Sequence, residues 1–104
     1  MTTEERYAIL VADFLGRPGI VQDGKGFGAS ALKARGKIFA MLSTRGELVV
    51  KLPAGRVDAL VASGDGERFD PGRGRKMKEW LALAPTSPLD WSSLAAEALA
   101  FVAG

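Results

Sequence analysis

Near the start of the chain the apolar side chains fall at Tyr7, Leu10, Val11 and Phe14, the three- and four-residue spacing of one helix face. Thr2 with Glu5 three residues on is a capping-box spacing, and Gly16-Arg-Pro-Gly19 stops the helix because proline cannot continue it. After a short apolar step at Ile20-Val21 the pattern shortens to β-like runs over 28–33, 37–43 and 47–52. Ala34-Arg-Gly36 and Thr44-Arg-Gly46 join these runs as tight turns whose glycines can take positive φ. Residues 53–64 return to helical spacing, with Pro53 in the first turn, Val57, Leu60 and Val61 on one stripe, and Gly64 as the stop. A short strand is expected over 67–70 and a basic loop over 71–75. An extended stretch over 76–83 then puts Lys76, Lys78 and Trp80 on one face and Met77, Glu79 and Leu81 on the other. A last helix is expected from a Ser87 cap, with Pro88 in its first turn and Trp91, Leu94, Ala95, Ala98, Leu99 and Val102 on its apolar stripe.

This order predicts a small α+β domain spanning residues 1–104, an antiparallel sheet with N-terminal, central and C-terminal helices packed on one face. At 104 residues, with 47% hydrophobic and 25% charged positions, the chain has enough apolar side chain for one core without disulfides or a structural metal.

There is no cysteine and no histidine. Thiol catalysis, thiolate zinc sites and the commonest general base are therefore excluded, and the remaining acids Asp65, Glu67 and Asp70 lack the spacing of a calcium loop. A non-enzyme with no cofactor and no metal is expected. The glycines of Gly24-Lys-Gly-Phe-Gly28 precede a strand, whereas a phosphate-binding loop follows a strand and opens a helix, so a nucleotide cradle is not expected there. The first residues lack the basic-then-apolar pattern of a secretion signal and no apolar run is long enough to span a bilayer, which predicts a cytoplasmic protein with no membrane partner.

Net charge is only +2 but unevenly placed: residues 25–56 carry +6, residues 68–78 carry +4 and the rest −8. If the first hairpin and the later basic stretch share a sheet, Lys33, Arg35, Lys37, Arg73, Arg75, Lys76, Lys78 and Trp80 form a candidate nucleic-acid or anion surface, with the indole available for stacking. The competing reading is that the cations solvate an open, wet sheet face and Trp80 belongs to the core. Ile9, Leu15 and Phe101 widen the helix stripes, which leaves a homodimer or other protein contact open.

The run Leu32-Lys-Ala-Arg-Gly-Lys-Ile-Phe-Ala-Met-Leu42, followed by Leu48-Val-Val-Lys-Leu52, resembles the MmcQ/YjbR-like proteins. Phe69-Asp-Pro-Gly-Arg-Gly-Arg-Lys-Met-Lys-Glu-Trp80 is similar to the closing half of the TfoX N-terminal domain. The resemblance spans about residues 25–103 and implies a CyaY-like α+β fold and a DNA-binding or TfoX-like regulatory role; it brings no catalytic residues. Frataxin relatives of that fold hold iron on a carboxylate ridge along the first helix. Here that helix offers only Glu4, Glu5 and Asp13, so no iron role is expected. The expected function is a non-enzymatic domain that binds DNA weakly through its basic surface; the alternative is a protein-interaction or adaptor domain without nucleic-acid binding.

Overall fold

The computed structural model describes residues 2–22, 31–70, 74 and 76–104. Within them the elements are α1 (Thr3–Leu15), β1 (Ile20–Val21), β2 (Leu32–Ala34), β3 (Lys37–Leu42), β4 (Leu48–Lys51), α2 (Ala54–Ala62), β5 (Glu67–Arg68), β6 (Trp80–Leu83) and α3 (Trp91–Ala103). The strands make one sheet in the order β1-β2-β3-β4-β6-β5, every neighbouring pair antiparallel. All three helices contribute to one core on the same face of it, so the architecture is the expected α+β fold.

Local chemistry explains the boundaries. Thr2 Oγ1 accepts from the Glu5 amide while Glu5 Oε1 accepts from the Thr2 amide, closing the capping box that starts α1. Tyr7, Leu10 and Phe14 are buried along the expected stripe. In the β2–β3 turn both central residues, Arg35 (φ 53°) and Gly36 (φ 78°), are left-handed, the geometry that matches the twist of the flanking strands. Arg45 and Glu47 organise the β3–β4 turn, where Ser43 Oγ accepts from both of their amides.

Beyond shifts of one or two residues at the ends of β3, β4, β5 and α2, where Pro53 is the N-cap rather than a first-turn residue, four features differ from the sequence pattern. Ile20-Val21 is a strand in its own right, pairing with Ala34 and Lys33 at the sheet edge. The strand expected over 28–33 begins at Leu32, and residues 28–30 lie outside those described. The extended stretch expected over 76–83 is strand only from Trp80. Before it the chain doubles back, the Met77 amide donating to the Phe69 carbonyl at 2.9 Å and Lys78-Glu79 forming a turn, so Lys76 and Lys78 do not alternate along a strand with Trp80. Helix α3 is capped by Asp90 rather than Ser87: Asp90 Oδ1 accepts from the Ser92 amide, while Ser87 is held in a preceding turn by its amide donating to the Ala84 carbonyl.

The turn before α3 is pinned by Arg6. Its guanidinium donates to the carbonyls of Pro85 (3.2 Å), Ser87 (2.9 Å) and Leu89 (2.7 Å) and lies 4.1 Å from the centre of the Trp91 ring. Two further ion pairs tie elements together: Arg56 to Glu97 joins α2 to α3, and Arg68 to Asp58 joins β5 to α2.

The face of the sheet away from the helices is not wet. A second apolar cluster lies there, made of Ala31, Met41, Val49, Phe69 and Ala82 with Ile38 and Trp80 packed against it. A bulge in β3 sorts the two cores. Leu32 pairs with Ala40 but Lys33 with Ile38, so Phe39 is the extra residue. Phe39 and Ala40 both turn into the helix-side core, with the Phe39 and Phe14 ring centres 5.8 Å apart, while Ile38 and Met41 join the opposite cluster. Gly66 lets β5 approach β6, since a Cβ there would sit 2.8 Å from Leu81 Cδ1.

Candidate nucleic-acid interface

The register places the candidate residues. On the face away from the helices, Lys33 of β2 pairs with Ile38 of β3, and Lys51 of β4 pairs with Trp80 of β6. Continuing the β3–β4 register, in which Met41 pairs with Val49 and Ala40 with Val50, sets Lys51 opposite Phe39. Lys33 and Ile38 therefore stand one residue nearer the Arg35-Gly36 turn than Lys51 and Trp80, all four at that end of the sheet. Three strand spacings separate Lys33 from Trp80, about 14 Å. Trp80 is half-buried: its ring packs on the second apolar cluster, and the Lys51 ammonium lies 5.4 Å from the ring centre.

The other predicted cations divide. Arg35 is exposed at the turn. Lys37 is exposed at the same end, but its pairing with Ala34, a member of the helix-side core, turns it toward the helices rather than toward Lys33. Lys78 is exposed in the turn that leads into Trp80. Lys76 instead lines a groove of about 830 Å³ along the β5–β6 edge, shared with Glu47, Asp65, Glu67 and Arg68. Arg73 and Arg75 lie outside the described residues. Lys51 is the residue that sequence reasoning left out of the site. Its signal was there, a lone cation alternating with Val49 in an otherwise apolar run.

The ion pairs among the described residues sort the cations by role. Each is made by an arginine: Arg17 with Asp13, Arg45 with Glu47, Arg56 with Glu97 and Arg68 with Asp58. None of them involves Arg35, Lys37, Lys51, Lys76 or Lys78. Arg45 also donates to the Asp70 carbonyl at 3.1 Å, fastening the segment that carries Phe69 into the second cluster.

Among the described residues the two carboxyl groups with a displaced pKa are helix caps, remote in role from this end of the sheet. The Thr2 amide and hydroxyl hold Glu5 below its ordinary value, and the Ser93 hydroxyl, followed by the Ser92 and Ser93 amides, does the same for Asp90. No group of three or more acids that would hold a metal ion is found among the described residues, and no helix there is long and apolar enough to cross a membrane. Ile9, Leu15 and Phe101 are exposed, outside the helix-side core. Compared with models of protein families, with curated proteins and with solved structures, the chain matches none.

Proposed function

We propose that this domain is a non-enzymatic binding module that holds the phosphate backbone of a nucleic acid at the Arg35–Trp80 end of its sheet. One observation carries the reading: Arg17, Arg45, Arg56 and Arg68 are each paired with a carboxylate and Arg6 is spent on three carbonyls, whereas Arg35, Lys37, Lys51 and Lys78 gather at one end of the sheet and take part in none of the ion pairs among the described residues. A cation outside an ion pair keeps its attraction for phosphate, and of Arg35, Lys37, Lys51, Lys76 and Lys78, only Lys76 lies away from this end, in the β5–β6 groove. The resemblance of residues 32–42 and 69–80 to MmcQ/YjbR-like proteins and the TfoX N-terminal domain points the same way.

Contacts of this kind read charge and carry no base code, so affinity is expected to be weak, roughly 10⁻⁴–10⁻⁶ M at physiological salt, and nearly independent of sequence. The test is fluorescence anisotropy of a labelled oligonucleotide, single-stranded and duplex, at low and physiological salt. Arg35→Asn, Lys37→Gln and Lys78→Gln combined should weaken binding at low salt and flatten its salt dependence by about 0.7–0.9 in log–log slope for each lost phosphate contact. Absence of binding to either form at low salt would overturn the proposal.

A further inference from the structure

We infer that the strand taken by this surface is single, with one base stacked on Trp80; this rests on the proposed nucleic-acid reading and narrows its ligand. The helices carry the first part of the argument. Reading a duplex through its major groove takes a helix or a two-stranded ribbon that reaches base edges and phosphates with free polar side chains. Here α3 has no cation at all. The one cation of α1, Arg6, is committed to three carbonyls, and the one cation of α2, Arg56, to Glu97. No helix is left to enter a groove.

The sheet face supplies what a single strand needs. Sequence-tolerant single-strand binding combines cations along the backbone with an aromatic ring under the bases. Trp80 meets the second condition because it is half-buried at the margin of the apolar cluster, its ring supported by the sheet. Lys51 connects the two conditions. Its ammonium lies over the Trp80 ring, held by a cation–π contact and by no carboxylate in the ion pairs. An incoming base can take the place over the ring, and the displaced ammonium, on a flexible stem, then reaches the phosphate of that nucleotide. The cation is already in position and exchanges one weak partner for a stronger one.

The experiment follows the two indole N–H signals of the ¹⁵N-labelled protein, which has two tryptophans, Trp80 and Trp91. Trp91 is 3% exposed and serves as the internal reference. Three ligands are compared at low salt: an oligothymidylate of about eight nucleotides, within the range of sheet-borne single-strand sites, the matching duplex, and inorganic polyphosphate of equal charge. The expected result is that oligothymidylate moves the Trp80 signal and leaves that of Trp91 in place. It should bind about fivefold or more tightly than polyphosphate, the lower end of what one stacked base contributes, and more tightly than the duplex. Trp80→Leu should abolish that margin over polyphosphate, and Lys51→Gln should weaken both. Duplex preferred over single strand, or equal binding of oligothymidylate and polyphosphate with Trp80 unmoved, would overturn this inference and leave the backbone-binding proposal standing. Failure of all three ligands to bind would remove both. The indole shift is read in the unaltered protein, so it decides the question even if Trp80→Leu does not fold.

Discussion

Arg6 shows how much a single side chain can organise. Its planar fork meets three carbonyls of one turn, those of Pro85, Ser87 and Leu89, while its flat face covers Trp91. Those carbonyls precede a helix and have no strand to pair with, so without Arg6 they lose their donors in a partly buried place. Arg6→Ala is expected to cost about 2–4 kcal/mol, because charged hydrogen bonds are lost and carbonyls are stranded. Arg6→Lys should recover less than half of that, since an ammonium has neither the fork nor the flat face. Urea unfolding of the two variants checks it, and full recovery by lysine would mean that charge alone matters. Nothing in the sequence marks Arg6 for this role. It lies in a run of charged residues opening a helix, and its partners are about eighty residues away.

At the scale of elements, the helix caps were the most legible features, because a cap is a contact between residues two or three apart. The Thr2–Glu5 box stands where its spacing put it. The start of α3 was misplaced because Ser87 and Asp90 both precede a helical stripe, and the choice between them is made by a turn that Arg6 holds from a distance. The caps make a prediction about acid. Both Glu5 and Asp90 have pKa values in the folded protein below their ordinary 4.5 and 3.8. A carboxyl whose pKa is lowered by folding stabilises the fold fully above its ordinary value, and that stabilisation disappears as pH falls through the lower, folded value. Melting temperature should therefore drop as pH is lowered below those ordinary values. The drop should be shallower in a Glu5→Gln, Asp90→Asn variant, which keeps both caps but cannot titrate there. An unchanged acid limb in that variant would show that the caps take no part in it.

For the molecule as a whole, the decisive fact is that the sheet is buried on both faces. The strand runs hinted at this. Leu48-Val-Val50 and Leu81-Ala-Leu83 are continuously apolar and fully or almost fully buried, the pattern of strands covered on two sides rather than the alternation of a sheet with one wet face. Phe69, from the segment that Arg45 fastens, is the aromatic residue among the buried members of the cluster on the second side. Phe69→Ala is accordingly expected to lower stability by about 3–5 kcal/mol, the range for emptying a core aromatic site. A phenylalanine on an exposed sheet face would change stability by less than about 0.5 kcal/mol. The urea midpoint separates the two. Because the middle of this face is closed, the candidate interface is confined to its margin, the end of the sheet that holds Arg35, Lys51, Lys78 and Trp80.

By itself the sequence determined the class of fold, the number of helices and the faces they bury, the two hairpin turns and the capping box of α1. All of these follow from backbone preferences and apolar periodicity over a few residues. It also placed most of the cations in two segments. Only the tertiary structure decided which of those cations are neutralised and which gather, since that depends on strand register and on carboxylates distant in the chain. The single-residue bulge at Phe39 illustrates the reason. Strand faces alternate with period two, so one extra residue moves Ile38 to the face opposite Phe39 and Ala40 and pairs it with Lys33, one position nearer the turn than Lys51 and Trp80.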